Sequence, residues 1–121
     1  MAAPARLDDT LIALADPTRR AILRRLSKGE ARVTELALPF DMSLNSVSKH
    51  IRMLERARLV RRRRAGREHL LSFNAKPLDD LAAWVESQRA FWAASLDALE
   101  AALHAEDAAG GAASRRKGRR R

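Results

Sequence analysis

The chain has 121 residues, enough for one domain, and for a core only if helices pack closely or two copies share one. It has no cysteine, which excludes disulfides and thiolate metal sites, and Lys plus Arg outnumber Asp plus Glu by 24 to 15 for a formal net charge of +9. Six cations fall in the final SRRKGRRR, so the body carries about +3, weak support for a polyanionic partner beside a tail suited to non-specific attraction.

The N-terminus, MAAPARLDDTLIALAD, lacks the basic start and apolar run of a leader, and no window approaches membrane-spanning length. A soluble, cytoplasmic protein is the expectation. Leu7, Leu11 and Leu14 at helical spacing, with Ile12 beside them, predict a first helix over 7–15. Asp16 as N-cap and Pro17 at the first helical position restart the chain as a second helix over 17–26. That helix should bury Ile22, Leu23 and Leu26, show Arg19, Arg20, Arg24 and Arg25 outward, and stop at Gly29. A third, short helix should start at Thr34 as N-cap and turn Leu36 and Ala37 inward. Pro39 removes a helical hydrogen bond, so it should end near Leu38, with Phe40 and Met42 as buried contacts in the turn.

The next stretch, SLNSVSKHIRMLERAR (43–58), has the strongest pattern. Ser43 is a good N-cap, and Val47, Ile51 and Leu54 form an apolar seam at i, i+4 and i+7. Between them stand Asn45, Ser46, Ser48, Lys49, His50 and Arg52. A solvated helix face usually carries Glu and Lys; a helix in the major groove needs amide and small polar side chains for base edges and cations for phosphates. Asn45, Ser46, Ser48 and His50 would choose bases, while Lys49 and Arg52 would hold phosphates. Two helices joined by a tight turn, the second showing polar groups, form a helix-turn-helix.

Residues 59–73 switch to strand character around Ala65-Gly66 and predict a β-hairpin with Arg63, Arg64 and Arg67 at its tip. Directly after a helix-turn-helix, such a basic hairpin is a wing that reaches phosphates or the minor groove. Pro77 opens a long helix over 77–104, with Asp79 and Asp80 at the positive end of its dipole. Leu78, Leu81, Val85, Trp92, Leu96, Leu99 and Leu103 run along it in threes and fours, interrupted by Gln88 and flanked by Trp84 and Phe91. This stripe is too long and wide for one small subunit to cover, so it predicts contact with a second copy. A small-molecule pocket under Trp84, Phe91 and Trp92 is the other use of these rings, but aromatics at helical spacing read first as core. Residues 106–121 turn Ala/Gly-rich and then basic, and are expected to be a disordered tail on a single domain of 1–105.

The runs LADPTRRAILRRL (14–26) and TELALPFDMSLNSVSKHIRMLERARLVRRRRAGREH (34–69) resemble the ArsR/SmtB-type winged helix-turn-helix transcriptional regulators of bacteria. The likeness covers roughly 7–104, with Asp-Pro-Thr-Arg-Arg, Pro-Phe-Asp-Met-Ser and Val-Ser-Lys-His in order at the usual spacing. The resemblance implies a mainly α fold with a small β-hairpin wing: four helices, the hairpin, then a long fifth helix. It also implies a homodimer held through the first and last helices, which adds Leu7 and Leu11 to the interface residues Leu81, Trp84, Val85, Gln88, Phe91, Trp92, Leu96 and Leu99. Two recognition helices would enter successive major grooves of a palindromic operator in double-stranded DNA at the bacterial nucleoid. Such proteins are commonly repressors or autorepressors that leave DNA when an inducer binds. Positions 43–52 match the family's DNA-contacting helix, and 64–67 its wing tip.

Two positions depart from the family. Asn45 stands where many relatives have Pro, which exposes a further amide in the first helical turn. Arg58 stands where they usually have Gly; positive φ there would cost Arg about 1 kcal/mol, so a slightly different turn is expected. The family's metal sensors use cysteines, or His and carboxylates on the last helix, whereas His50, His69 and His104 lie far apart here. No metal or other cofactor is expected, and a metal-responsive repressor is one alternative. A non-specific nucleic-acid binder driven by the tail is another, and its affinity would collapse with salt. A protein-binding winged helix would want acid where Lys49 and Arg52 stand. No phosphate loop, paired catalytic carboxylates or activated nucleophile points to an enzyme.

Overall fold

A computed structural model describes residues 6–118, with side-chain surroundings through Gly110. The chain divides into two compact units, one reaching Trp84 and the other starting at Val85.

The first unit opens with α1 (Leu7–Leu14) and α2 (Pro17–Leu26). Asp16 caps α2 by accepting the Arg19 N–H at 3.0 Å, and Pro17 takes the first turn. No basic residue stands in the last turn of α1, so its free carbonyls draw their donors from α2. Arg19 Nε donates to Ala13 at 2.8 Å, its Nη2 to Ile12 at 2.9 Å, and Arg20 Nη1 to Leu14 at 2.8 Å. Arg19, expected to face outward, is therefore buried. A guanidinium tolerates burial when its donors are satisfied, and here it also lies at the negative end of the α1 dipole.

A two-residue strand that the sequence pattern did not predict, β1 (Ala31–Arg32), leads directly into α3 (Val33–Ala37). Strand pairing holds Arg32 extended, so the helix starts from Arg32 instead of Thr34, and the Glu35 carboxylate accepts the Arg32 N–H at 3.2 Å. The helix stops at Leu38, before Pro39, and Leu36 is buried as expected. Phe40 packs against the core, but Met42 is exposed.

The next helix, α4 (Leu44–Arg56), is capped by Ser43, whose Oγ accepts the Ser46 N–H at 3.1 Å. Val47, Ile51 and Leu54 are wholly buried, in one cluster with Ile22, Leu36, Leu59 and Leu71. Burying side chains of this size contributes about 1.5–3 kcal/mol each, which makes α4 the centre of the core. Two hydrogen bonds close its end, Arg58 N–H to Glu55 O at 2.9 Å and Leu59 N–H to Leu54 O at 3.0 Å. That pair defines a Schellman motif, which needs a left-handed residue at Arg58. Arg58 indeed adopts φ +61°, against the expectation of an altered turn, at a cost of about 1 kcal/mol relative to Gly. Asn74 Nδ2 holds the Arg58 carbonyl at 2.7 Å.

The hairpin pairs β2 (Val60–Ala65) with β3 (Glu68–Phe73), and β1 lies along the other edge of β3, giving the order β1-β3-β2. Gly66, the first of the two loop residues, has φ +65°, as a type II′ hairpin turn requires. Last comes α5 (Lys76–Gly118), whose first turn is held by Asn74 Oδ1, accepting the Lys76 N–H at 3.4 Å, with Leu78 packed on the core.

The long helix runs past His104 to Gly118, where the sequence pattern ended the helix and began a disordered tail at 106. Alanine has the highest helix propensity, and the alanine-rich run around 101–109 carries the helix beyond Leu103, the last residue of the apolar stripe. The last three residues of that expected tail lie outside the described residues. In the second unit Val85, Trp92, Leu96, Leu99 and Leu103 are exposed, and the Phe91 and Trp92 rings meet edge to face at 5.7 Å.

Candidate nucleic-acid interface

With its apolar seam turned inward, α4 presents Asn45, Lys49, Arg52 and Arg56 on the opposite side at i, i+4, i+7 and i+11, all four exposed. Ser48 flanks this row, half-buried. Two other serines expected to meet DNA are engaged at the helix start. Ser43 Oγ accepts the Ser46 N–H and lies 2.9 Å from Ser46 Oγ. Arg56 was not among the expected contacts, although the step of four from Arg52 carries the row to it.

His50 is turned away from this row. Its Nδ1 lies 3.2 Å from Arg19 Nη1 and 3.7 Å from Asp16 Oδ2, at the turn between α1 and α2. An arginine has no acceptor, so the shorter contact is a hydrogen bond when Nδ1 carries no proton. Burial works against the charged form of Asp16. The Arg19 N–H, the charges of His50 and Arg19, and the Thr18 N–H nonetheless hold its pKa below the ordinary value. The cluster braces the recognition helix from behind, and no spacing rule in the sequence points to it.

The wing sorts its arginines by strand register. Arg62, opposite Leu71, shares a face with Arg64 and His69, and its guanidinium reaches Glu55 of α4 at 2.7 Å, so this face looks toward the recognition helix. Arg63 pairs with Leu70, on the other face, in the same row as Arg32 of β1. There it is held by Glu30 at 2.8 Å, while Arg32 pairs with Glu68 at 2.8 Å. Arg63, expected at the tip beside DNA, is thus paired with a carboxylate on the surface. Arg64 Nε donates to the Gly66 carbonyl at 3.2 Å. Among the described residues Lys49, Arg52, Arg56, Arg61, Arg64 and Arg67 have no carboxylate partner.

Of the residues expected at a dimer interface, Leu7 is buried within its own subunit, because α1 folds it inward. Leu11, Val85, Phe91, Trp92, Leu96 and Leu99 are exposed, and Leu81, Trp84 and Gln88 are half-buried. Among the described residues no three His, Asp or Glu side chains gather as metal ligands, and no helix is long and apolar enough to cross a membrane.

A helix-turn-helix domain model matches residues 14–63. The transcriptional repressor SdpR of Bacillus subtilis is 32% identical over 79 residues, 65% of this chain and 88% of that protein. The crystal structure of an ArsR family transcriptional regulator matches with a TM-score of 0.70 and 44% identity, covering 75% of this chain and 94% of that one. The chain belongs to the ArsR family. An HTH-type transcriptional regulator of Mycobacterium tuberculosis is 52% identical over 54 residues, 45% of this chain, and the match spans 50% of that relative's length. A homodimeric winged helix-turn-helix DNA-binding domain from Mycobacterium bovis, solved in solution, matches with a TM-score of 0.57 and 27% identity over 69% of this chain and 78% of that one. ArsR members are winged helix-turn-helix transcriptional regulators, a non-enzymatic kind of protein. The three-stranded sheet flanking the Ser43-capped helix is the winged form of that fold.

Proposed function

We propose that this ArsR-family chain is a homodimeric, sequence-specific repressor that binds a palindromic operator in double-stranded DNA. The observation that carries the reading is the exposed row Asn45–Lys49–Arg52–Arg56 on a helix whose other side is locked in the core. Asn45, in the first turn, has the amide that pairs with adenine, and Ser48 flanks it. Lys49, Arg52 and Arg56 supply phosphate contacts, joined by Arg64 and Arg67 from the wing. The exposed stripe of Trp92, Leu96, Leu99 and Leu103 supports pairing through α5, since a second such helix would cover it. The repressor names among the relatives support the sign of regulation, and a protein acting on the chromosome would work in the bacterial cytoplasm, at the nucleoid.

The test is a gel-shift series on an operator selected from the organism's own genomic fragments. Asn45→Ala should cost about 1–3 kcal/mol of discrimination between operator and random DNA. Lys49→Ala should weaken both alike. Equal losses of discrimination in the two variants would reject the division of roles.

A further inference from the structure

A cleft of about 590 Å³ opens between α1, the end of α4 and the start of α5, within the size range of small-ligand sites. Its wall is partly apolar, built from Leu7, Val60, Pro77 and Leu81. Its charges are unevenly matched. The Glu55 carboxylate is bound to Arg62 at 2.7 Å, and Asp80 accepts from Lys76 at 3.2 Å. Arg6, Arg58 and Arg61 also line the cleft, and none has a carboxylate partner among the described residues. The cleft is therefore left with surplus positive charge beside an apolar wall.

Arg58 adds an independent observation. It occupies the left-handed position of the Schellman motif at φ +61°, where Gly would be less strained. A cation held at backbone cost on the wall of a cavity is the kind of strain that functional sites retain.

We propose that this cleft is an effector site for a small monocarboxylate with an apolar body. Arg58, with Arg6 and Arg61, receives the carboxylate, and the apolar wall covers the body. Arg58 directly follows the C-cap of α4, so an occupant touches the end of the recognition helix. The regulatory half of the proposal rests on the operator-binding reading; the binding half does not.

The test uses the full chain at about 150 mM salt, where exposed charges are largely screened, with benzoate as the probe. Arg58→Gly removes the guanidinium and relieves the strain, so it should unfold no sooner in urea than the wild type. Calorimetry should show benzoate binding the wild type at least tenfold tighter than acetate or benzamide, and Arg58→Gly should lose at least tenfold in benzoate affinity. Benzoate should change wild-type operator affinity at least threefold and leave that of Arg58→Gly unchanged.

A flat titration, the result if a second copy's helix fills the cleft, overturns the site. So does equal binding of acetate, which would mean charge attraction alone, or undiminished binding by Arg58→Gly. Benzoate binding with unchanged operator affinity overturns the effector role. A protein that selects no operator at all defeats the DNA reading while the calorimetry still decides the site.

Discussion

A histidine on a recognition helix invites a base-reading role, yet the His50 ring is spent on Arg19 and Asp16 behind the helix. Removing it should loosen the brace without touching the reading face. His50→Ala is expected to lower stability by about 1 kcal/mol in urea denaturation and leave the preferred DNA sequence unchanged in a binding selection. An altered base preference would return His50 to the groove.

Asp16 gives the same cluster a pH dependence. Its folded pKa is lowered, so the charged form adds stability at pH above the ordinary value of 3.8, and that contribution is lost as pH falls through the lowered folded value. Asparagine also caps helices but cannot titrate. The stability gap between wild type and Asp16→Asn, followed through their melting temperatures, should therefore be widest at pH above 3.8 and shrink as pH falls through the lowered folded value. A gap that does not vary with pH would contradict this.

Burial was legible in the sequence where periodicity alone decides it. Val47, Ile51 and Leu54 are buried and Asn45, Lys49 and Arg52 exposed, as the spacing on one helix dictates. Arg19 and His50 were misplaced because their partners lie 6 and 31 positions away in the chain, where helical spacing carries no information. Arg58 was misread differently. Its side chain disfavours the left-handed turn by only about 1 kcal/mol, less than the two closing hydrogen bonds and the burial of Leu59 provide.

At the level of elements, the helix-turn-helix and the hairpin could be anticipated because Asp16-Pro17, Pro39, Ser43 and Gly66 each punctuate the chain for a stated steric or hydrogen-bonding reason. The two-residue strand β1 could not, since so short a segment has no period. Its consequence is concrete. By adding a row beside β3 it brings Arg32 into line with Arg63, and Glu30 holds the Arg63 guanidinium at 2.8 Å. Arg64, on the face toward α4, keeps its charge available. In titrations of operator affinity against salt, Arg64→Ala should reduce the log–log slope by about 1, and Arg63→Ala should leave it nearly unchanged. Equal reductions would mean that the ion pair opens on binding.

For the whole molecule, the proposed dimer rests on α5. Its second unit carries Trp92, Leu96, Leu99 and Leu103 at helical spacing with their surfaces in solvent. An exposed apolar strip of that length fits the proposed pairing, since a second copy presents the matching strip by symmetry. A dimer in turn supplies two copies of the reading row, and their spacing on DNA is a geometric consequence. The most direct measurement is a hydroxyl-radical footprint of the full chain on the genomically selected operator. Two protected segments are expected on one side of the duplex, centred about one helical turn (~34 Å) apart, both weakened together by Leu99→Glu in α5. A single protected segment unaffected by Leu99→Glu, or even protection along the whole fragment, would contradict it.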